Sequence, residues 1–242
     1  MGLESFNKII GVAVLSSRWI FRQPLWMFQS AIVIAGLFIM LTAWGGIEAI
    51  KNLALAFTIV GFWNDGLNII AQTFGWSKIE KSYEMFIASS ISIPEYYLGL
   101  TLGSLIFAII DLIPSIIILY WLKLLSILPY LMILGIVALL IGSFLGLTIV
   151  LRIKNPTNIS AVTNPISALT TILPPIYYPS ILLPKPIAYT LVVVPTASLM
   201  EIARNLLGIK TLLTLTQGVI VLTVWIIVVV ILLIKVIKWG LE

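Results

Sequence analysis

The sequence predicts an all-α membrane protein with six transmembrane helices, and three observations support that prediction. First, 61% of the 242 residues are hydrophobic and only 10% are charged, whereas soluble domains are about half apolar and about a quarter charged. Second, the mean hydropathy is +1.17. Third, six stretches reach the roughly 20 residues that a helix needs to cross a hydrocarbon core about 30 Å thick. A helix satisfies its own backbone hydrogen bonds in lipid, so helical spans are expected.

We expect these spans to form one membrane domain covering residues 1–242, because the sequence shows no internal repeat and no low-complexity linker. The predicted parts are an N-terminal interfacial helix (1–23), spans one and two (24–76), a short amphipathic cytoplasmic helix (77–96), spans three to five (97–178), an extracellular re-entrant region (179–211) and span six (212–238).

The N-terminal interfacial helix is predicted from two opposed faces at helical spacing. Its apolar and polar positions are Leu3, Phe6, Ile10, Ala13 and Val14 against Glu4, Lys8 and Gly11. A helix with one charged and one apolar face suits the membrane interface. A solvated connector is the alternative interpretation.

The first two spans differ in polarity. The first runs from Pro24 to about Trp44 and starts with a proline, which the first turn of a helix tolerates. The second runs from about Leu53 to Phe74 and carries Asn64, Asp65 and Asn68 near its middle. An Asp at the centre of a span costs about 2.5–3.5 kcal/mol on insertion scales, so it should face a cavity, water or a partner.

The remaining spans are predicted from about Tyr97 to Trp121, Ile127 to Leu151, Asn158 to Tyr178 and Leu212 to Lys235. The first of these contains Asp111, to which the same cost applies. Two GxxxG pairs, Gly99/Gly103 and Gly142/Gly146, lie in the third and fourth spans and permit close helix approach, within the subunit or in a dimer.

Polar side chains inside these spans are candidates for a substrate pathway. Each of them lies within a segment long enough to cross the bilayer: Gln29, Asn64, Asp65, Asn68, Asp111, Thr163, Asn164 and Thr170. Hydrogen bonding between helices is the alternative role for all of them.

The segment between the fifth and sixth spans, "LPPIYYPSILLPKPIAYTLVVVPTASLMEIARNLLG", contains six prolines that forbid one straight helix. It is also too apolar for an ordinary solvated loop. Short helices that dip into the outer leaflet satisfy both constraints. Glu201 and Arg204 are spaced to pair on one of them, either as a structural ion pair or, less readily, as a substrate contact.

The distribution of basic residues predicts the orientation. Six spans place both termini on one side, and that side would hold nine of the 14 Lys and Arg residues. An excess of Lys and Arg marks the cytoplasmic side. We therefore expect a multi-pass protein of the cell membrane with both termini, and residues 77–96, in the cytoplasm.

Several functions are excluded by what the sequence lacks. It has no Cys and no His, which removes disulfides, thiolate nucleophiles, imidazole bases and the usual zinc ligands. The GxxxxGK[ST], GxSxG, HExxH and GxGxxG motifs are also missing. The basic residues are scattered and do not form a stripe for nucleic acid. We expect no catalytic residues, no metal site and contact with membrane lipid.

Three stretches carry a resemblance to a known family. "IEKSYEMFIASSISIPEYYLG" is similar to the pattern E-x-x-x-G-T-x-E-x-L-L-x-S-P-x-S-x-x-E-x-L-L-G, and the matching residues are Glu80, Glu84, Ser89, Ser92, Glu95 and Gly99. Ser82, Tyr83 and Ser90 depart from it. "YYPSILLPKPI" resembles F-P-x-x-x-L-P through Tyr178, Pro179, Leu183 and Pro184. "VVVPTASLMEIARNLLG" resembles N-P-x-x-x-x-x-E-x-x-R through Pro195, Glu201 and Arg204, with Val194 in place of Asn.

Together and in this order, the three stretches resemble the membrane subunit of a type-2 ABC transporter, the permease family that includes drug, polysaccharide and lipid-linked glycan exporters. The resemblance implies that residues 77–96 form the coupling helix, which docks in a groove of a separate nucleotide-binding subunit. Its docking residues would be Glu80, Lys81, Tyr83, Glu84, Phe86 and Ile87. Pro179, Pro184, Pro195, Glu201 and Arg204 would shape the re-entrant region.

The resemblance also implies the partners. Two permease subunits, identical or related, would work with two ATPase subunits, and the ATPase would bind ATP and Mg²⁺. Substrate would pass between the permeases, bordered by the first, second and fifth spans. The alternative is an ion-coupled secondary transporter that uses Asp65 and Asp111, although the sequence shows no inverted repeat of broken helices. A membrane scaffold without transport is a third hypothesis.

Overall fold

The computed structural model describes residues 3–18, 24–153 and 155–236, with the side chains of 24–31 and of Tyr83 outside the description. Within these ranges the regular secondary structure is entirely helical and contains no strand, which confirms the predicted all-α class. The helices are α1 (Leu3–Ser17), α2 (Pro24–Asn64), α3 (Ile70–Ile79), α4 (Ser82–Ala88), α5 (Ile93–Asp111), α6 (Ile113–Trp121), α7 (Leu128–Arg152), α8 (Ile159–Thr171), α9 (Lys185–Val192), α10 (Pro195–Leu206) and α11 (Leu215–Val236).

Four helical stretches in the described ranges are long and apolar enough to cross a membrane: Ile32–Ile79, Ile93–Trp121, Leu125–Arg152 and Leu215–Val236. The pair α9 and α10, bent by 102°, makes a fifth if it counts as one broken span. The protein is therefore a membrane protein with about four or five candidate spans. The predicted number of six is not confirmed.

The helix is kinked between the predicted first and second spans. Residues 45–52, expected as a connection, contain this kink at Gly46 between two helical stretches, and α2 continues through a π-helical turn (Asp65–Ile69) into α3. The only non-helical backbone inside α2 is at Gly46, with φ 57° and ψ −146°. Residues with a Cβ rarely adopt that conformation, so glycine is what allows the chain to change direction there.

The predicted fifth span, residues 158–178, is wrong as a continuous helix. Helix α8 has 13 residues and ends at Thr171, which makes it only about 20 Å long. The residues that follow are irregular as far as Pro179. Pro174 and Pro175 explain this, because proline lacks the N–H that a helix interior needs and disfavours helix at the preceding residue.

The core is built around the second half of α2, where Leu53, Ile59 and Trp63 are completely buried. Helix α7 crosses the π-helical turn at very close range through the second GxxxG pair. A Cβ placed on Gly142 would lie 2.7 Å from the carbonyl oxygen of Trp63, and one on Gly146 would lie 2.5 Å from that of Leu67. This GxxxG pair therefore serves close packing within the subunit.

Helix α1 packs along the length of α5. Its buried residues are Ile9, Val12, Ala13 and Ser17. A Cβ on Gly99 would lie 2.5 Å from the Cβ of Val12, and Gly103 approaches Ser16 similarly. The two helices run in the same direction, because later residues of α1 meet later residues of α5. Of the predicted apolar face, Leu3, Phe6, Ile10 and Val14 are exposed and only Ala13 is buried against the protein.

Polar contacts anchor the start of α1. The hydroxyl of Ser5 donates to Glu95 Oε1 at 2.5 Å, and Lys8 Nζ donates to the carbonyl of Ser90 at 3.1 Å. Lys8 also pairs with Glu4 at 2.9 Å, and this hydrogen bond raises the pKa of Lys8. Ser90 lies between α4 and α5, and Glu95 lies in the first turn of α5. These contacts therefore attach α1 to the region where the chain enters α5.

Candidate functional site

A cavity of about 1100 Å³ lies between α1, the π-helical turn, α3, α4 and α5. Its floor and walls are polar at one end and apolar elsewhere. Its polar lining residues include Asn64, Asp65, Asn68, Gln72, Glu80, Asp111 and Asn164. Apolar side chains line other parts, among them Leu15, Trp76, Met85, Phe86 and Leu100. The cavity extends from buried Asp65 to Glu80 and Met85, which are exposed.

The π-helical turn positions the polar end of this cavity. One π turn inside a helix rotates the residues that follow it, and such turns occur frequently at functional sites. Here Gly66 lies directly against the backbone of α7, where a Cβ added to it would meet the carbonyl oxygen of Leu139 first. Because α7 approaches so closely on that side, the polar side chains of Asp65 and Asn68 face the cavity side.

Asp65 is 2% exposed, and its Oδ2 has no hydrogen-bond partner in the described residues. Oδ1 of Asn68 is likewise buried and unpartnered within the described chain. Asp111 lines the same cavity from the end of α5. A Cβ on Gly61, one turn before Asp65, would lie 3.2 Å from the Cβ of Asp111. Two acceptor oxygens without donors, on Asp65 and Asn68, and the carboxylate of Asp111 therefore line the same cavity.

Asp111 also lies at an interruption of the helix. The chain leaves α5 at Asp111 and starts α6 at Ile113, with Pro114 in the first turn of α6. A proline cannot donate to the carbonyl four residues earlier, so the regular hydrogen bonding of the helix is interrupted there. Both intramembrane carboxylates therefore occupy positions where helix geometry changes.

Helix α8 contributes its polar face to the same region. Ser167 Oγ donates to Asn64 Oδ1 at 2.5 Å, and Trp63 Nε1 donates to Thr170 Oγ1 at 2.9 Å. These bonds join α8 to α2. Thr163 is completely buried and its hydroxyl has no partner within the described residues.

The predicted pathway residues thus separate into three groups. Five of them line the cavity: Asn64, Asp65, Asn68, Asp111 and Asn164. Thr163 and Thr170 do not line it, and Thr170 instead connects α8 to α2. Gln29 has its side chain outside the described residues.

The cavity includes polar residues that the sequence analysis missed. Gln72 and Thr73 continue the lining from Asn68 along α3. A signal was present, because Asn64, Asn68 and Gln72 recur every four residues and so lie on one helical face. That spacing marks one polar stripe of a span.

The predicted coupling helix is shorter than residues 77–96. Ile79 ends α3, Glu80 caps it, and Lys81 adopts a left-handed conformation with φ 59° before α4 begins at Ser82. Four of the predicted docking residues are exposed: Glu80, Lys81, Glu84 and Ile87. The Tyr83 side chain lies outside the described residues.

Phe86, another predicted docking residue, is partly buried. Its ring packs on Tyr96 at the start of α5, with 4.8 Å between ring centroids, and both side chains line the cavity. Tyr96 in turn lies 6.1 Å from Phe74 of α3. Phe86 therefore belongs to an internal aromatic cluster (Phe74, Phe86, Tyr96, Tyr97), because the turn at Lys81 folds α4 back toward the start of α5.

A second polar site, the Arg204 network, contacts α2 at Asn52, on the N-terminal side of the π-helical turn. Arg204 is completely buried and Glu201 is 1% exposed, with Nη1 to Oε1 at 3.0 Å. Arg204 Nε donates to Asn52 Oδ1 at 2.7 Å. Nη2 lies 2.8 Å from three carbonyl oxygens, those of Pro175, Ile176 and Tyr178.

Glu201 completes this network. Oε1 accepts from Ser180 Oγ at 2.9 Å, and Oε2 accepts from the backbone N–H groups of Leu212 and Leu213 at 2.7 and 3.1 Å. The pair thus connects α10, the proline-rich segment, α2 and the chain entering α11. Asn52 and Ser180 were missed from the sequence because they belong to segments distant from Glu201 and Arg204.

In the proline-rich region, three prolines stand at or directly before the first residue of a short helix. Pro179 precedes a single 3₁₀ turn (Ser180–Leu182), Pro184 precedes α9, and Pro195 is the first residue of α10. Proline fits those places because the first turn of a helix needs no internal N–H donor. The region is a bent pair of helices stabilised by the Arg204 network.

The two sites lie at opposite ends of one helical run. Asn52 and Glu80 are 28 positions apart in sequence, which corresponds to about 42 Å of helix, more than the thickness of a hydrocarbon core. In the described part of the chain, no group of three or more His, Cys, Asp or Glu residues could hold a metal ion.

Compared with models of protein families, with curated proteins and with solved structures, the chain matches none of them.

Proposed function

We propose that this chain is the transmembrane permease subunit of an ATP-driven ABC exporter and couples to a separate nucleotide-binding subunit. The observation that carries the proposal is the position of α4: it projects exposed side chains at one end of the bundle, and its Phe86 belongs to the wall of a cavity that reaches the buried carboxylates. A force applied to α4 would therefore act on the substrate cavity directly.

In this proposal six spans cross the membrane. The run Ile32–Ile79 has 48 residues, or about 72 Å of helix, more than twice the hydrocarbon thickness. One crossing cannot accommodate it, and the Gly46 break divides the helical run that begins at Pro24 into residues 24–45 and 47–79, each long enough to cross the hydrocarbon core. The broken pair α9 and α10 together with α8 would supply the remaining polar part of the bundle.

Docking would use the exposed surface of α4 and its preceding turn. Ile87, 40% exposed, is an apolar anchor, while Glu80, Lys81 and Glu84 would set the orientation at the rim. A few buried anchors with a charged rim are typical of specific interfaces. ATP and Mg²⁺ would be held by the partner, which performs the phosphoryl transfer.

Coupling would then pass through the aromatic cluster. Movement of α4 displaces Phe86 against Tyr96, and Tyr96 is packed on Phe74 of α3. Since α3 continues into the π-helical turn, the same movement reaches Asp65. The α4 end is cytoplasmic and the Arg204 network is extracellular in this arrangement.

A pair of matched variants tests the proposal. The tagged chain is purified from its native membranes, and Mg²⁺-dependent ATP hydrolysis and the ATPase subunit are measured in the eluate. Ile87→Asp should remove both, because a charge would be buried in the docking pocket. The control Leu182→Asp changes an apolar residue that is 70% exposed at the other end, and should retain both. Equal ATPase recovery with both variants would eliminate the docking role of α4.

The ion-coupled carrier is a second candidate, and the Oδ2 of Asp65, unpartnered within the described chain, favours it. It requires transport by the purified chain in proteoliposomes under an ion gradient without ATP. The exporter requires the ATPase subunit and ATP. The same proteoliposomes therefore distinguish the two.

A further inference from the structure

We propose that the cavity binds an amphipathic organic cation, with its cationic head at Asp65, Asp111 and Asn68 and its apolar body along the walls formed by α1, α4 and α5. This inference names a substrate class and rests on the transport function proposed above. Its test needs only this chain, so it can fail or hold independently of the ATPase.

The charges of the cavity favour a cation. The described lining residues include three carboxylates, those of Asp65, Glu80 and Asp111, and no Lys or Arg. Asp65 is almost completely buried, and its Oδ2 has no donor among the described residues. A charged or polar oxygen buried without a donor is costly, and a bound cationic group removes that cost.

The unpaired acceptors at the deep end favour a positively charged head on the ligand. Oδ2 of Asp65 and Oδ1 of Asn68 are both acceptors, and neither receives a hydrogen bond from the described chain. An anion would place further acceptors against them. A cationic head presents positive charge to these oxygens, and an ammonium head would add up to three donors.

The size and the walls favour an organic cation over a bare ion. A volume of about 1100 Å³ is at the upper end of pockets for drug-sized ligands. Away from the carboxylates the walls are formed by side chains such as Leu15, Met85 and Leu100, with the rings of Trp76 and Phe86. Apolar walls bury a hydrophobic body, and aromatic rings add attraction for a cation.

The test uses two probes of equal shape and opposite charge, tetraphenylphosphonium and tetraphenylborate. Binding of each to the full chain in lipid nanodiscs is measured by equilibrium dialysis, with empty nanodiscs as the blank. We expect saturable binding of tetraphenylphosphonium and none of tetraphenylborate. Asp65→Asn and Asp111→Asn should each weaken tetraphenylphosphonium binding about tenfold or more.

Glu48→Gln is the matched control, because Glu48 is an exposed carboxylate that pairs with Lys51 outside the cavity. It should bind the cation like the natural sequence. Thermal unfolding followed by Trp fluorescence shows whether each variant is folded. Equal binding of both probes, no binding of the cation, or unchanged binding to folded Asp65→Asn and Asp111→Asn would overturn the proposal. We expect Ile87→Asp to bind the cation like the natural sequence. Loss of transport in that variant would then indicate failed coupling to the ATPase and not failed cation binding.

Discussion

Replacing Arg204 by methionine should be among the most damaging single changes outside the cavity. Methionine fills similar space without donors, so the change removes the guanidinium bonds to Asn52, Glu201 and three carbonyls. Ile176 keeps a donor from Asn52 Nδ2 at 2.8 Å, whereas no other donor to the carbonyls of Pro175 and Tyr178 is present among the described bonds. Removing one partner of a buried ion pair costs about 3–5 kcal/mol.

The assay is thermal or denaturant unfolding of the purified chain, followed by Trp fluorescence. Arg152→Met is the control, because Arg152 is an exposed cation at the end of α7 and surface changes usually stay within about 0.5 kcal/mol. A double-mutant cycle with Asn52→Ala should show coupling of about 0.5–3 kcal/mol. If Arg204→Met and Arg152→Met have the same free energy of unfolding, the Arg204 network does not stabilise the bent helix pair.

Three further predictions concern packing and topology. Gly142→Ala should destabilise by about 1–3 kcal/mol in the same unfolding assay, since its Cβ would lie 2.7 Å from the Trp63 carbonyl, while Gly36→Ala, with open space around its Cβ, should be neutral or stabilising. Gly99→Leu should detach α1 from α5 and speed proteolysis within α1; unchanged cleavage would contradict the packing described. Because the chain has no Cys, Ile87→Cys and Leu182→Cys can each be labelled alone, and an impermeant maleimide should reach only position 182 in intact cells.

The helical class could be predicted because lipid leaves few backbone solutions, so composition and length suffice. The fifth span failed because apolar content was counted across Pro174 and Pro175. Two consecutive prolines prevent a helix from continuing, although the single Pro165 lies inside α8. The packing of α1 also could not be predicted. Its sequence offers two apolar faces, and only the position of Gly99 and Gly103 on α5 selects the one with Val12.

Within the site, the cost of Asp65 and of Asp111 was predictable for each residue alone. Their meeting in one cavity was not, because it depends on the π-helical turn and on the close crossing of α7 at Gly142. The pairing of Glu201 with Arg204 follows from their spacing. Asn52 completes that network from 152 residues away in sequence, a distance that local patterns do not reach.

The decisive measurement for ATP-driven export of an organic cation is the accumulation of tetraphenylphosphonium in inside-out vesicles, prepared from native membranes that contain the chain and its partners. We expect accumulation that requires ATP, is lost in Ile87→Asp and Asp65→Asn, and persists in Leu182→Asp and Glu48→Gln. Accumulation that an ion gradient drives equally well without ATP, or that Ile87→Asp leaves intact, would contradict the account.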